Sequence, residues 1–257
     1  MEGVIASAED PLDERCLAYA DDESPCYVPE GLAARYAIRL ATSHGQRNAA
    51  SYLIRKLYQW RGYSTDIVRE DPTGVVLVAS DERGVVATVT VGFDSTHGMA
   101  VESLYPDEVA QLRGGGARLC EFTRLAVDRT GQSMELLAML LHVAYLYARR
   151  VHGATHLLAE VNPRHVRFYM RMLGFEVAGP QRMCRRVDAP AVLIALWLDH
   201  AEEQIALYGG HMELAQTVRS LYPLFFSPSE EDGIARRLFG QEPSGRSHAG
   251  SPQPVIA

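Results

Sequence analysis

The segment 156–178 constrains the fold most strongly, because a strand, a capped helix and a helix stop follow one another directly. Its first part, 156–161, is largely apolar and predicts a strand. Asn162 and Pro163 predict a helix start, since asparagine caps free N–H groups and proline lacks the N–H that would stay unpaired there. Gly174 predicts the helix end, because glycine readily adopts the left-handed backbone conformation.

The spacing of apolar residues predicts the other elements. Two β-branched runs, 75–80 and 85–91, are joined by a four-residue turn and predict a hairpin. A long helix over 132–150 is apolar on most sides, so we expect it to be buried. Further strands are predicted at 36–40, 119–127, 175–178 and 191–198, and further helices at 46–60 and 202–208. This order predicts a mixed central sheet flanked by helices, an α/β fold of the α+β kind.

Composition divides the chain into three parts. Residues 1–30 are acidic and interrupted by prolines, which predicts an N-terminal arm. Residues 31–226 carry the regular apolar patterns and are expected to form one domain. Residues 227–257 are rich in serine, proline, glycine and charge, so we expect a largely disordered C-terminal tail in which only 234–239 has a helical pattern.

Charge and residue content exclude several classes of protein. The formal net charge is −7, which argues against nucleic-acid binding through phosphate neutralisation. No apolar run is long enough for a transmembrane segment and the first residues do not resemble a secretory signal, so we expect a cytoplasmic protein. The four cysteines form no CxxC pair and the histidines form no HExxH motif, so no metal site is expected.

Three short motifs, Val161-Asn162-Pro163, Phe168-Tyr169 and Leu173-Gly174-Phe175, resemble the signature of the GNAT acyltransferase fold. In that fold the corresponding helix flanks the acyl thioester. The resemblance implies that Asn162 and Tyr169 contact the pantetheine arm or protonate the departing thiolate. The alternative roles of these two residues are a helix cap and a core aromatic.

The segment 128–133 suggests that the acyl donor is not coenzyme A. GNAT enzymes typically hold the coenzyme A pyrophosphate on a glycine-rich turn at a helix N-terminus. Here the turn reads Asp-Arg-Thr-Gly-Gln-Ser, which lacks the second small residue and begins with an acid that disfavours a dianion. It is similar in this respect to the acyl-homoserine-lactone synthases and the related long-chain N-acyl amino acid synthases. That resemblance implies an acyl-phosphopantetheine thioester on acyl carrier protein as donor and no further cofactor.

Two more segments resemble this subfamily. The run 120–127 resembles its Glu-x-Ser/Thr-Arg strand, and 182–193 resembles the entry to its late strand. The lactone synthases place an arginine on the second hairpin strand, where this chain has Thr90. The difference favours the amino acid synthases, and the resemblance extends over about 34–208.

Glu121 and Arg124 are the predicted catalytic residues. An amine must be neutral to attack a thioester carbonyl, so a carboxylate such as Glu121 can take its proton. Arg124 can bind the carboxylate of an amino acid substrate in bidentate fashion and orient its amine. Strict alternation places the two side chains on opposite faces of a strand, so a shared site requires a β-bulge, which the resemblance implies. The alternative is an ion pair on a half-exposed strand.

The same strand and the following helices supply predicted binding residues. Backbone N–H groups after the bulge can polarise the thioester carbonyl, which adds Thr123, Leu125 and Val127 to Asn162 and Tyr169 as acyl-donor-binding residues. A basic patch on an acidic protein can attract the acidic acyl carrier protein. The predicted docking residues are Arg149, Arg150, Arg164 and Arg167, and a merely solvated basic face is the alternative.

The leading hypothesis is an N-acyltransferase that moves a long-chain fatty acyl group from acyl carrier protein to the α-amine of an amino acid. The alternative enzyme is a lactone-type signal synthase, which uses S-adenosylmethionine and releases a cyclised product. A third hypothesis is a non-catalytic GNAT-like module that binds acyl carrier protein, with the arm and the tail as interaction segments.

Overall fold

A nine-stranded mixed sheet forms the centre of the computed structural model, which describes residues 26–27, 36–60, 74–128 and 134–240. The spatial order is β1-β2-β3-β4-β5-β6-β9-β7, and β8 pairs with β9. Only β5 and β6 are parallel. The strands are β1 Cys26–Tyr27, β2 Ala37–Leu40, β3 Val75–Asp81, β4 Gly84–Phe93, β5 Leu119–Val127, β6 His156–Val161, β7 Glu176–Val177, β8 Arg182–Cys184 and β9 Ala189–Trp197.

The helices lie between these strands and after the last one. They are α1 His44–Trp60, α2 Pro106–Gly114, α3 Met134–Leu146, α4 Pro163–Leu173, α5 Leu198–Tyr208, α6 Ala215–Val218 and α7 Pro228–Phe239. A π-helical turn, Tyr147–Val151, continues α3, and short 3-10 turns occur at Ala100–Ser103, Met212–Leu214 and Tyr222–Leu224. None of the helices in the described ranges is both long and apolar enough to cross a membrane.

Different helices and turns pack on the two faces of the sheet. On one face, here called the α3 face, Leu157 and Ala159 of β6 belong to a large core that includes α3, α5 and α7. On the other, here called the α2 face, Leu158 packs with Val101 and Tyr105 beside α2. The side chains of successive β6 residues therefore point alternately to the two faces, as expected of a strand.

The predicted hairpin and the predicted helix boundaries at 162–174 are confirmed. β3 and β4 pair antiparallel around a turn at Asp81 and Gly84. The Asn162 side chain accepts a hydrogen bond from the Arg164 N–H at 3.2 Å and caps α4. Gly174 ends the helix in the left-handed region with φ 78°. Local capping chemistry thus sets both ends of α4.

Replacing Gly174 with alanine should lower the free energy of unfolding by about 1–2 kcal/mol, because a Cβ disfavours the left-handed conformation. The new Cβ would also lie 2.5 Å from Nε2 of His200. Gly233→Ala is the matched control, because Gly233 lies inside α7 and an added Cβ there meets no atom within 4 Å. Alanine at Gly233 should stabilise the protein by up to about 1 kcal/mol. Denaturant unfolding of both variants measures the difference, and equal effects would contradict it.

Helix α2 was not predicted, although the sequence contains a start signal for it. Pro106 occupies the first helical turn, Asp107 and Glu108 lie in that turn, and Arg113 lies in the last one. These charges complement the helix dipole. The apolar periodicity of this helix is weak, and only Val109 in it is buried. Apolar spacing alone therefore does not predict the helix.

Helix α7, Pro228–Phe239, confirms the predicted helical pattern at 234–239 but begins at Pro228, so the prediction of a largely disordered tail is wrong for 228–233. Ser227 and Glu230 form a capping box at its start, and Ile234, Ala235 and Leu238 are buried. Serine, proline, glycine and charge favoured a tail, but the apolar residues of 228–239 follow the pattern of an amphipathic helix. The rest of the tail, 241–257, and the predicted arm apart from β1 lie outside the described residues.

Candidate active site

A cavity of about 680 Å³ lies where β5 and β6 separate. The two strands are paired only from Leu119 to Glu121 on β5 and from His156 to Leu158 on β6. Beyond that contact β5 stays paired with β4, and β6 stays paired with β9. The strands therefore form a wedge, and residues of both strands line the cavity inside it. This volume is within the range of small-molecule binding pockets.

The cavity reaches both faces of the sheet, and its two arms differ in chemistry. The arm on the α3 face is almost wholly apolar; among its lining residues are Leu137, Leu141, Tyr145, Leu173, Phe175, Leu198, Ala201, Tyr222 and Phe225. The arm on the α2 face contains charged groups and is lined by Ala100, Val101, Glu160, Cys184 and Arg186. The arm on the α3 face is therefore suited to an extended apolar group, and the arm on the α2 face is suited to a zwitterionic group.

The predicted bulge in β5 is present at Arg124. Thr90 of β4 pairs with Thr123, but Thr88 pairs with Ala126, so two residues of β5 lie opposite one residue of β4. Arg124 has a φ of 54°, which is rare outside glycine. A non-glycine residue in the left-handed region is strained, and it keeps this conformation only when the surrounding structure stabilises it. Such residues often border functional cavities.

The bulge reverses the alternation of side chains along β5. Before it, Phe122 packs against the core of the α3 face. After it, Leu125 and Val127 pack against that same core, although an uninterrupted strand would send them to the opposite face. All five predicted acyl-donor-binding residues line the cavity together with Arg124; they are Thr123, Leu125, Val127, Asn162 and Tyr169. Their individual roles stay predictions.

Glu121 lies outside the group of residues that line the cavity, which differs from the predicted placement of both catalytic residues in one site. Its side chain points to the α2 face and is only 1% exposed. Oε1 accepts a hydrogen bond from the Ala100 N–H at 2.7 Å, and Oε2 accepts one from the Val101 N–H at 3.0 Å. The bulge follows Glu121 and therefore leaves its orientation unchanged. The carboxylate caps the 3-10 turn instead of facing the wedge.

A second glutamate, Glu160, does line the cavity and was missed by the sequence analysis. Arg186 donates a hydrogen bond to Glu160 Oε2 at 2.5 Å and another to the Ala100 carbonyl oxygen at 2.9 Å. Burial raises the pKa of Glu160, and the Arg186 guanidinium opposes that rise. The sequence feature that indicates Glu160 is the presence of a glutamate within an apolar strand, directly before the Val161-Asn162-Pro163 motif.

The four predicted docking arginines fall into two pairs. Arg149 forms ion pairs with Asp199 at 2.5 Å and Glu202 at 3.0 Å. Arg150 forms ion pairs with Glu231 and with Asp232, the latter at 2.6 Å, so acids of this chain compensate both charges. Arg164 and Arg167 are instead exposed on α4, the helix that supplies cavity residues. Only this second pair offers an exposed basic surface.

The turn at 128–133 is described only at its first residue. Asp128 follows β5, and the Lys56 ammonium of α1 forms an ion pair with it at 3.0 Å. The other residues of this segment, 129–133, lie outside the described part of the chain.

Comparison with known proteins identifies clear relatives. A family model described as N-acyl amino acid synthase FeeM matches residues 49–197. The solved structure of FeeM, an N-acyl amino acid synthase from uncultured soil microbes, matches with a TM-score of 0.61 and 27% identity, over 66% of this chain and 95% of FeeM. Curated proteins gave no match.

Two further solved structures match with lower similarity. A putative N-acetyltransferase from Lactobacillus plantarum has a TM-score of 0.48 and 19% identity, over 63% of this chain and 98% of its own. The AHL synthase LasI has a TM-score of 0.44 and 13% identity, over 63% of this chain and 89% of its own.

Proposed function

Since this chain belongs to the N-acyl amino acid synthase FeeM family and has the GNAT acyltransferase fold, we propose that it transfers a long-chain fatty acyl group from acyl carrier protein to the α-amine of an amino acid. The observation that carries the proposal is the two-armed cavity at the β5–β6 wedge. The arm on the α3 face is apolar, the arm on the α2 face holds charged side chains, and Arg124 of the bulge lines the same cavity.

The apolar arm suits a long acyl chain. Each buried methylene contributes about 0.8 kcal/mol when it leaves water, so an extended apolar wall favours long chains over short ones. The walls on the α3 face come from α3, α5 and the 3-10 turn Tyr222–Leu224. An acetyl group alone would leave most of this surface uncovered, so the size of the arm supports a fatty acyl donor.

The junction of the arms suits the thioester. Leu125 and Val127 follow the bulge, and backbone N–H groups in this region are proposed to polarise the thioester carbonyl. Asn162 and Tyr169 line the same space from the start and the middle of α4 and are proposed to contact the pantetheine arm. Arg124 is proposed to hold the acceptor carboxylate, which fixes the amine near the carbonyl carbon.

The exposed arginines of α4 support acyl carrier protein as the source of the acyl group. Arg164 and Arg167 are exposed on α4, the helix from which His165, Phe168, Tyr169 and Leu173 line the cavity. A carrier protein must dock beside the cavity so that its phosphopantetheine arm can enter. Opposite charge on the two surfaces accelerates such docking.

The proposal is tested with the purified full-length chain, acyl carrier proteins loaded with acyl groups of different length, and a panel of amino acids. We expect an N-acyl amino acid, identified by mass spectrometry, and a lower rate with the matching acyl-coenzyme A. A cyclised product formed only with S-adenosylmethionine would show a lactone-type synthase. Binding of acyl carrier protein without product under all conditions would show a non-catalytic module.

Reversing both arginines, as Arg164→Glu with Arg167→Glu, should raise the KM for acyl carrier protein about tenfold and leave kcat nearly unchanged, because docking precedes chemistry. Steady-state kinetics with carrier-bound donor measure the effect. Arg236→Glu with Arg237→Glu is the control, because it makes the same charge change at exposed positions of α7. An equal increase in both double variants would indicate a general charge effect and reject docking on α4.

A further inference from the structure

The proposed reaction needs a group that binds and deprotonates the acceptor ammonium, and Glu121 is not placed to do so. Both oxygens of Glu121 accept backbone hydrogen bonds, and the residue is not part of the cavity wall. The polar arm of the cavity contains a different carboxylate. Glu160 lies on β6, at the point where the alternation of the strand directs its side chain to the α2 face.

The two carboxylate oxygens of Glu160 have different surroundings. Oε2 accepts hydrogen bonds from Arg186 at 2.5 Å and from the Cys184 thiol at 3.6 Å. Oε1 is buried and accepts no hydrogen bond from any residue in the described ranges. A buried carboxylate oxygen without a donor is costly, and a cationic N–H donor that enters the cavity would relieve that cost.

We propose that Glu160 is the catalytic residue that binds the α-ammonium of the acceptor amino acid and takes its proton. This assignment rests on the proposed function. The ammonium gives one proton to Oε1, and the neutral nitrogen then attacks the thioester carbonyl carbon. As the N–C bond forms and the C–S bond breaks, a second N–H proton passes to the departing sulfur. The products are the amide and the free thiol, and Glu160 returns its proton to water.

Arg186 and Glu121 have positioning roles in this scheme. Glu121 holds the 3-10 turn through the N–H groups of Ala100 and Val101. The carbonyl oxygen of Ala100 accepts a hydrogen bond from Arg186, which in turn holds Glu160 Oε2. A continuous set of hydrogen bonds therefore links Glu121 to Glu160. It leaves Oε1 as the carboxylate oxygen without a donor among the described residues.

The electrostatic surroundings of Glu160 favour a base. Burial raises its pKa, while Arg186 keeps the carboxylate form accessible. Tyr105, which also interacts electrostatically with Glu160, donates its hydroxyl to the carbonyl oxygens of Pro180 and Ala191. Burial raises the pKa of Tyr105 to about 12, so the phenol stays neutral near pH 7. Two more ionisable side chains, those of His165 and Arg124, line the same cavity.

The decisive test compares Glu160→Gln with Glu121→Gln in the full chain. Glutamine preserves the shape of Glu160 but cannot accept a proton, so kcat/KM at neutral pH should fall by about 10²- to 10⁴-fold. The wild-type rate should rise with pH through the raised pKa of Glu160, and this acidic limb should disappear in Glu160→Gln. Glu121→Gln should retain the limb, because a positioning residue changes the rate without titrating in the reaction.

A further measurement separates lost chemistry from lost folding. In Glu160→Gln the wild-type limb, which levels off above the pKa of Glu160, should be replaced by a rate that increases about tenfold per pH unit up to the amine pKa without levelling off, since the fraction of neutral amine increases by that factor. Glu160→Asp, which keeps a carboxylate, should retain the acidic limb with a smaller loss of rate. An acidic limb that persists in Glu160→Gln and vanishes in Glu121→Gln would overturn the assignment. Absence of N-acyl amino acid with the wild-type protein would instead reject the proposed function itself.

Discussion

An Ala201→Phe variant should lose roughly 60-fold in kcat/KM for the long-chain acyl donor and keep most of its activity with short-chain donors. Ala201 is a small residue of α5 in the apolar arm of the cavity. A phenyl ring there occupies space that the acyl chain would fill. If it displaces about three methylenes, the loss is about 2.4 kcal/mol of transition-state stabilisation. The chain-length profile of the product should therefore shift to shorter acyl groups.

Competition between acyl donors of different length, read by mass spectrometry, measures this shift within one reaction. Ala206→Phe is the matched control, because Ala206 is exposed on the same helix and does not line the cavity. The control should keep the wild-type profile. An unchanged profile in a folded Ala201→Phe protein would show that the acyl chain does not enter the arm on the α3 face.

Replacing Arg150 with alanine should lower the free energy of unfolding by about 3 kcal/mol or more, because it leaves the buried Glu231 carboxylate without its cation. Arg150 forms ion pairs with Glu231, which is only 4% exposed, and with Asp232. Glu231 also accepts a hydrogen bond from His142 Nε2 at 3.0 Å. Nε2 carries the imidazole proton, because Nδ1 of His142 accepts a hydrogen bond from the Phe226 N–H at 3.0 Å.

These contacts fasten the C-terminal part of the chain to α3 and the π-helical turn. Phe225, next to the residue that donates to His142, also lines the apolar arm. Loosening α7 should therefore weaken the wall of the cavity as well as the fold. We expect Arg150→Ala to reduce the preference for long acyl donors at temperatures where it remains folded.

Arg149→Ala is the control for this stability prediction. Arg149 is adjacent to Arg150, but its partner Asp199 is 72% exposed at the side chain and Glu202 is 31% exposed. Ion pairs in contact with water contribute about 0–1 kcal/mol, so the control should lose no more than that. Thermal and denaturant unfolding of both variants measure the contrast. A similar loss in both proteins would show that the network around Glu231 adds no special stability.

Much of the fold was accessible from local sequence patterns. The ends of α4, the hairpin and the limits of β5 depend on capping residues, turn residues and apolar spacing, which act over a few neighbouring positions. Helix α7 lies in a region whose serine, proline, glycine and charge favour a tail, and the sequence predicts a helical pattern only for its second half, 234–239. Its few apolar residues are nevertheless on one face, and they are buried against a surface that the sequence pattern does not display.

The predicted acyl-donor-binding residues could be selected from the sequence because they belong to motifs on two elements that meet at the wedge, and all of them line the cavity. The family model ends at residue 197, so the walls formed by Leu198, Ala201, Tyr222 and Phe225 lie beyond it. The proposed wall for the acyl chain is therefore partly formed by residues beyond the family model.

The sequence by itself determined the family and the GNAT fold, because short motifs encode them, and the family resemblance implied the bulge that the structure shows at Arg124. Only the tertiary structure decided which carboxylate faces the cavity. Glu121 finds its backbone donors about twenty positions earlier, and Glu160 finds Arg186 on a segment 26 positions later. Hydrogen bonds between such distant segments form only when the sheet and its covering turns are assembled, so residue type and spacing alone could not distinguish the two glutamates.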